Sequence, residues 1–242
     1  MNDWQYQPAQ DLDLTPSERL RSYRREDGLI SDGCRLLWWS GVKSSLKLWH
    51  RLSVTGREHL PQSPSYVLVA NHSSHLDALV LAAALPLSVR NQLFPLAAGD
   101  AFFERPATSL FAAVMLNALP VWRTAVGRHA IQALRDRLIE TPSIYLLFPE
   151  GTRSRDGAMG EFKPGIGMML AGTNVPVLPC YLHGAHAACP PGARFPRPLS
   201  IRLSIGQPRL YPDVENRRNG WEHIAHELAE DVRTLGGLKS AQ

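Results

Sequence analysis

The pattern of apolar and polar residues changes at about residue 53. Beyond that point, short apolar runs alternate with stretches in which apolar residues return every three or four positions. The apolar runs predict strands at 66–70, 93–98, 119–122, 143–148, 175–182 and 199–205. The intervening stretches predict helices at 78–85, 108–116, 128–140, 166–171 and 221–235. This alternation predicts an α/β fold, a single domain with a mixed, largely parallel sheet flanked by helices.

The residues before 53 predict an N-terminal amphipathic helical segment. Thr15, followed by proline and then by glutamate at the third position, predicts a helix start, and Gly28 predicts the end of that helix. Within residues 34–54, apolar residues return on one helical face and basic residues on another: Trp39, Val42, Leu46 and Trp49 against Lys43, Lys47 and Arg51. Such a helix is typical of a membrane interface, although a helix packed on the core shows the same period.

The net charge of the chain is concentrated in the amphipathic part of that N-terminal segment. The 242 residues contain 26 Lys and Arg against 22 Asp and Glu, a net charge of +4. Residues 29–57 contain five bases and one acid, so this segment alone matches the whole excess. Because no nucleic-acid-binding motif accompanies these bases, we expect an anionic membrane surface as the partner and no nucleic acid. We therefore assign residues 1–52 to a polar tail with amphipathic membrane-docking helices.

Composition excludes some classes of protein. With 44% hydrophobic and 20% charged residues, the chain is globular rather than disordered. Its three cysteines give no disulfide framework, which favours a reducing compartment. The longest apolar run, residues 78–87, is shorter than the roughly 20 residues of a membrane-spanning helix, and no secretory signal is evident. We expect a peripheral protein at the cytoplasmic face of a membrane. The Pro-rich stretch Cys189–Pro198 predicts a loop.

A first group of polar residues, 71–77 (NHSSHLD), lies between a predicted strand and a predicted helix. Open α/β sheets place functional residues at such junctions. If His72 precedes the helix and Asp77 lies in its first turn, the two side chains can pair, leaving the other imidazole nitrogen as a general base. Helix capping by Asn71 or Ser73, with His72 on the surface, is the structural alternative.

A second group, residues 148–154 (FPEGTRS), follows a predicted buried strand. Gly151 permits a tight turn, Arg153 offers a fork of donors suited to phosphate, and Thr152 adds a hydroxyl. Arg123 follows another predicted strand and offers a second positive charge.

The sequence supports two other chemistries, a metal site and a serine nucleophile, less well. His72 with His75, and His183 with His186, have spacings that a metal site could use, but the second pair is predicted in a loop. The chain contains no G-x-S-x-G nucleophile motif.

Together these motifs resemble the glycerolipid acyltransferase family, typified by 1-acylglycerol-3-phosphate O-acyltransferases. The N-H-x-x-x-x-D motif matches Asn71, His72 and Asp77, the F-P-E-G-T-R-S motif matches residues 148–154 without a change, and a V-P-V-x-P strand matches residues 175–179. A looser motif, a glycine six residues before an arginine, matches only at Arg123, because position 117 is asparagine. The resemblance covers residues 53–235, so residues 53–242 are the expected acyltransferase domain.

The resemblance implies a role for each matched residue. His72 would be the general base and Asp77 would hold its imidazole. Glu150, Gly151, Thr152 and Arg153 would bind the acceptor, with Arg153 and Arg123 on its phosphate, and Lys163 would lie near the same site.

The implied reaction moves a fatty acyl group from acyl-CoA or acyl-carrier protein to a lysophospholipid, most plainly 1-acylglycerol-3-phosphate, giving phosphatidic acid. No cofactor and no metal would be needed, since the thioester is itself the co-substrate. Two alternatives stay open. One is the same chemistry on another lysolipid, such as a lyso-ornithine lipid, and the other is a non-catalytic membrane-surface binding protein.

Overall fold

A computed structural model describes residues 11–23, 25–26, 28–121 and 128–238 of the chain. Within these residues, eight strands form one sheet: β1 (Ser53–Thr55), β2 (Tyr66–Ala70), β3 (Leu93–Ala98), β4 (Leu119–Val121), β5 (Ile144–Leu147), β6 (Thr173–His183), β7 (Arg202–Ile205) and β8 (Arg209–Tyr211). Their order is β1-β7-β6-β2-β5-β3-β4, with β8 also paired to β6. Strand β6 runs antiparallel to β7 and β8, and the other pairs are parallel. The predicted α/β fold with a mixed, largely parallel sheet is therefore confirmed.

The helices flank this sheet or precede it. They are α1 (Pro16–Arg21), α2 (Leu29–Trp49), α3 (Asp77–Ala84), α4 (Gly99–Phe102), α5 (Pro106–Val114), α6 (Arg128–Glu140), α7 (Gly165–Leu170), α8 (Ala185–Ala188) and α9 (Arg218–Leu235). Strands β2 and β3 and helix α6 have the predicted bounds, whereas the short elements β1, β8, α4 and α8 were not predicted. Helix α1 starts at the predicted Thr15 cap but ends at Arg21, and Gly28 caps the start of α2 instead.

The sheet separates two apolar cores. Alternate residues of the wholly buried strand β2 contribute to each: Leu68 and Ala70 to the core under α2 and α3, Val67 and Val69 to the core under α6, α7 and α9. Burial on both faces explains why β2 is a continuous apolar run rather than an alternating one.

Helix α2 turns part of its apolar stripe toward the first core. Trp39 and Leu46 are 2% and 3% exposed, because α2 packs on α3 and α5. The prediction that these two side chains face a membrane is therefore wrong. Lys43 also turns inward and donates a hydrogen bond to the carbonyl of Leu85. The exposed apolar residues of α2 are a different set: Leu29, Ile30, Leu36, Leu37, Leu48 and Trp49.

The carboxyl ends of β2, β5 and β6 meet at one edge of the sheet, since these neighbouring strands are parallel. The loops that follow them contain both predicted motifs and the Pro-rich stretch, which the fold brings together there. No helix in the described ranges is both long enough and apolar enough to span a bilayer.

Candidate active site

The His72 imidazole is paired with the Asp77 carboxylate. Asp77 is the first residue of α3 and is fully buried, and His72 precedes the helix, as the strand–loop–helix context predicted. His72 Nδ1 lies 2.8 Å from Asp77 Oδ2. Because a carboxylate can only accept, Nδ1 donates and Nε2 is left as an acceptor.

The same Asp77 oxygen accepts two further hydrogen bonds, from the backbone N–H groups of Ser73 and Ser74, each 2.7 Å long. The carboxylate therefore holds the loop that presents the imidazole as well as the imidazole itself. On its flat side the ring stacks on Phe148, with ring centroids 4.0 Å apart and planes 12° from parallel. The hydrogen bond to Asp77 and the stacking on Phe148 together fix the orientation of the imidazole ring.

Asn71 and Ser74 attach this loop to the strand β6 region. The Asn71 side chain accepts a 2.8 Å hydrogen bond from the N–H of Leu182 and donates to the carbonyl of the same residue. Ser74 Oγ donates to the carbonyl of Cys189 at 2.8 Å. The capping alternative for Asn71 is therefore wrong, since its amide extends the β2–β6 ladder.

Glu150 joins the loop after β5 to the loop after β2. Its Oε1 accepts from the N–H of His72 at 2.8 Å, and its Oε2 accepts from the N–H of Gly160 at 3.0 Å. In return, the N–H of Ser154 donates to the carbonyl of His72. Glu150 is 7% exposed, and this burial raises the pKa of its carboxyl group, although the two N–H donors oppose the shift.

Gly151 allows a lysine to lie against this turn. Its φ is +74°, and a Cβ there would fall 2.7 Å from Lys163 Nζ. The backbone N–H of Lys163 donates a hydrogen bond to the carbonyl of Pro149, which keeps the lysine beside the turn. The structure thus places the Lys163 ammonium directly over Gly151, while Thr152 is exposed beside it.

The Arg153 guanidinium lies against the ring of His75, with Nη1 2.9 Å from Nε2. Desolvation lowers the pKa of His75, and the positive charge of Arg153 lowers it further. The ring is therefore favoured in its neutral form, which can accept from the arginine. This pair brings a cation to the edge of the His72–Asp77 site.

Position 117, where this chain departs from the expected glycine, keeps the backbone conformation that glycine favours. Asn117 has a φ of +55°, and asparagine is among the few other residues that adopt it readily. Its Oδ1 accepts from Arg25 and its Nδ2 donates to the carbonyl of Asn91. Arg123, the predicted phosphate ligand that follows, lies outside the described residues.

The remaining predicted site residues come together at one edge of the sheet. His72, Asp77, Glu150, Gly151, Arg153 and Lys163 are joined by the contacts above. Phe148, Ser73, Ser74 and His75 were not predicted as site residues. The contacts of Phe148 with His72, of Ser74 Oγ with Cys189 and of His75 with Arg153 depend on how the loops after β2, β5 and β6 meet. The N–H groups of Ser73 and Ser74 contact Asp77 within their own loop. Throughout the described ranges, no three His, Cys, Asp or Glu side chains are grouped as metal ligands would be.

A comparison with protein families matches residues 51–183 to the family described as Acyltransferase. The match spans more than half of the chain and includes every described residue of the site. The chain belongs to this acyltransferase family. Residues 71–77 and 148–154 lie within the matched range, whereas α2 and the strands after β6 lie outside it.

Individual acyltransferases show the same likeness. A chloroplastic 1-acyl-sn-glycerol-3-phosphate acyltransferase from Brassica napus is 32% identical over 158 residues, 64% of this chain and 43% of the relative. The human 1-acyl-sn-glycerol-3-phosphate acyltransferase alpha is 29% identical over 129 residues, 53% of this chain and 44% of the relative. The chain thus spans less than half the length of these relatives.

Among solved structures, the 1-acyl-sn-glycerophosphate acyltransferase PlsC from Thermotoga maritima superposes with a TM-score of 0.62 at 26% identity. The superposition covers 86% of this chain and 80% of that one. The superposition therefore extends beyond residues 51–183, so this chain and PlsC share their fold outside the family match as well as within it.

Proposed function

We propose that this protein transfers a fatty acyl group from a thioester donor to the hydroxyl group of a lysophospholipid. The acceptor that fits best is 1-acylglycerol-3-phosphate, and the product is then phosphatidic acid. The observation that supports this most is the His72–Asp77 pair, whose free Nε2 lies in a site with the cationic groups of Arg153 and Lys163. The names of the relatives favour the same acceptor.

In this mechanism His72 Nε2 removes the proton from the acceptor hydroxyl as its oxygen attacks the thioester carbonyl. The tetrahedral intermediate collapses with cleavage of the carbon–sulfur bond, and the departing thiolate takes the proton from the imidazolium. Asp77 stabilises that imidazolium through Nδ1. General-base assistance of this kind contributes roughly 10²–10⁴ in rate.

The acceptor phosphate needs fixed cationic donors. Arg153 can offer two parallel N–H groups, and Lys163 a compact ammonium. We assign both to the phosphate, with Arg123 as a third cation and the Thr152 hydroxyl as a neutral donor. Gly151 serves this site by leaving room for Lys163. Glu150 acts here by positioning, since both of its oxygens accept from backbone N–H groups.

The donor is acyl-CoA or acyl-carrier protein, both of which are thioesters of an anionic carrier. The thioester supplies its own good leaving group, so the proposed reaction uses no cofactor and no metal. Transfer is direct from donor to acceptor, without an acyl-enzyme.

A lipid acceptor requires the enzyme to lie at a bilayer. We place the protein peripherally at the cytoplasmic face of the membrane, in contact through residues 34–54. Support comes from the exposed apolar residues of α2, among which Leu37 and Leu48 are 76% and 80% exposed. Lys47 lies exposed on the same helix, and a cation near an anionic bilayer contributes about 1 kcal/mol.

The test is acyl transfer by the purified full chain. A panel of lysolipids and both donor types is offered, and the products are identified by mass spectrometry while thiol release is followed. We expect phosphatidic acid from 1-acylglycerol-3-phosphate, and none from the His72→Ala variant. Product formed only from a lyso-ornithine lipid would assign the same chemistry to another acceptor. Vesicle binding without thiol release would make the protein a non-catalytic binding module.

A further inference from the structure

A loop of residues 189–199, here named the Phe195 loop, exposes a large aromatic side chain between two arginines. Phe195 is 76% exposed, and residues 194–200 are exposed without a break. Arg194 lies 5.8 Å from the centre of the Phe195 ring, and Arg197 follows two residues later. A large aromatic side chain flanked by cations is the combination that proteins use at a membrane interface.

The loop is held in place by the end of α2. Arg51 donates from Nη2 to the carbonyl of Pro198 and from Nε to Ser200 Oγ. The N–H of Arg197 donates to the carbonyl of Ala188 at 2.7 Å. Arg51, expected from the sequence to face a membrane, thus connects the helix to the loop. The two elements present their exposed residues as one unit.

Together they form a continuous apolar surface close to the site. Phe195 and Pro196 line a groove of about 580 Å³ whose other wall includes Leu37 and Trp49 of α2. Leu76, the neighbour of Asp77, also lines this groove. The loop itself begins at Cys189, whose carbonyl accepts from Ser74. The apolar surface therefore adjoins the edge of the sheet at which the His72–Asp77 pair lies.

The charge of this part of the chain fits one kind of partner. Between Glu161 and Asp213 the sequence contains five bases and no acid: Lys163, Arg194, Arg197, Arg202 and Arg209. Arg209 is paired with Asp231 and Glu227. Arg194 and Arg197, which flank Phe195, form no ion pair with any residue that the structure describes. A surface that combines exposed aromatic and aliphatic side chains with unopposed cations complements an anionic bilayer, which offers both phosphate groups and an apolar interior.

We propose that the Phe195 loop is a second membrane-docking element, which inserts Phe195 into an anionic bilayer while Arg194 and Arg197 contact lipid phosphates. It acts beside α2 and sets which edge of the sheet faces the lipid. The docking proposal rests on the proposed function only because a lipid acceptor requires contact with a bilayer. Vesicle binding tests the docking proposal without any acyl transfer.

The experiment compares binding of the full chain to sedimented vesicles. One set contains 30% phosphatidylglycerol in phosphatidylcholine, at roughly the anionic content that attracts basic surfaces, and the other contains phosphatidylcholine alone. We expect Phe195→Ser to weaken partitioning into the anionic vesicles about ten-fold. The double variant Arg194→Gln/Arg197→Gln should weaken it about 30-fold, and only on the anionic vesicles.

Matched controls come from exposed residues elsewhere. Leu210 in β8 is 54% exposed, and Arg217 is exposed at the start of α9. Leu210→Ser and Arg217→Gln should bind vesicles as the wild type does. Equal losses in these controls, or unchanged binding in the Phe195 loop variants, would overturn the proposal. The proposal would also be overturned if the wild type sedimented as a dimer and the loop variants as monomers with vesicle binding intact, which would assign the loop to contact between two copies of the chain.

Acyl transfer is measured in parallel with a short-chain acceptor that is soluble without vesicles. Phe195→Ser should leave that rate unchanged. If the wild type shows no transfer but the loop variants lose vesicle binding, the proposed reaction is wrong and the docking element stands. If transfer occurs but vesicle binding is insensitive to the loop, the reaction stands and the docking proposal is wrong.

Discussion

The N–H of His72 donates a 2.8 Å hydrogen bond to Glu150 Oε1. The backbone of the proposed general base is therefore bound by the side chain of Glu150, the single acid of the second motif. Because the second Glu150 oxygen accepts from Gly160, a single carboxylate fixes the position of His72 relative to both ends of the loop after β5. In the proposed mechanism His72 contacts the substrate, whereas Glu150 only positions His72.

Removing the proposed base should abolish transfer while leaving the fold intact. We expect His72→Ala to lower kcat by about 10²–10⁴. Asp77→Asn should cause a loss of similar size, because an amide that donates toward Nδ1 would favour the wrong tautomer. Turnover is measured by thiol release and folding by circular dichroism. A folded His72→Ala protein that turns over like the wild type would exclude the general-base role.

Glu150→Ala should act on kcat rather than on the KM for the acceptor. The change leaves the N–H groups of His72 and Gly160 without partners, at about 1–3 kcal/mol for each in unfolding free energy. It also frees the loop that presents the imidazole. Steady-state kinetics and urea denaturation measure the two effects.

Glu161→Ala, at an exposed neighbouring position, is the control for this variant and should change neither quantity. Glu150→Gln keeps one acceptor oxygen and should fall between the wild type and Glu150→Ala. A rise in acceptor KM without a change in kcat would mean that Glu150 contacts the acceptor directly.

Arg153→Ala should raise the KM for a phosphate-bearing acceptor far more than the KM for the donor, because its guanidinium is assigned to the acceptor phosphate. It should also raise the pKa of His75, since the positive charge of Arg153 holds that pKa down. Kinetics with both substrates and an NMR titration of the histidine rings provide the measurements. Arg155→Ala, also exposed in the same loop, serves as the control. Equal losses toward donor and acceptor would contradict a phosphate role.

Gly151→Ala should weaken acceptor binding by displacing Lys163. The left-handed backbone costs a non-glycine residue about 1–2 kcal/mol, and the new Cβ would fall on the lysine ammonium. Gly237→Ala is a matched control, since Gly237 has a φ of +66° and open space around it. Both variants should lose similar stability in thermal unfolding. If both also lost the same acceptor affinity, the contact with Lys163 would have no part in binding.

The sequence was sufficient for elements whose period is simple. Strand β2 is a run of five apolar residues, and α6 has an apolar stripe between charged residues, so both were predicted with their observed bounds. The pairing of His72 with Asp77 also followed from local context, because the two residues are close in the chain.

Contacts between distant loops could not be predicted in the same way. Glu150 reaches His72 only because β2 and β5 are adjacent and parallel, which fixes the loops after them side by side. The helical period showed that α2 has two faces but not which residues face the core, so Trp39 and Leu46 were assigned to the wrong side. The Pro-rich stretch was correctly predicted as a loop, yet turn residues alone do not indicate that it lies against α2.

The backbone hydrogen bonds around His72 also set how fast the site can open. The N–H groups of His72, Ser73, Ser74 and Ser154 are all donated within the site, and Asn71 continues the sheet by its side chain. Amide protons in such a loop exchange with solvent only when several of these bonds break together. The loop of residues 71–77 should therefore exchange its amide protons as slowly as the centre of the sheet, and much more slowly than the exposed residues 194–200.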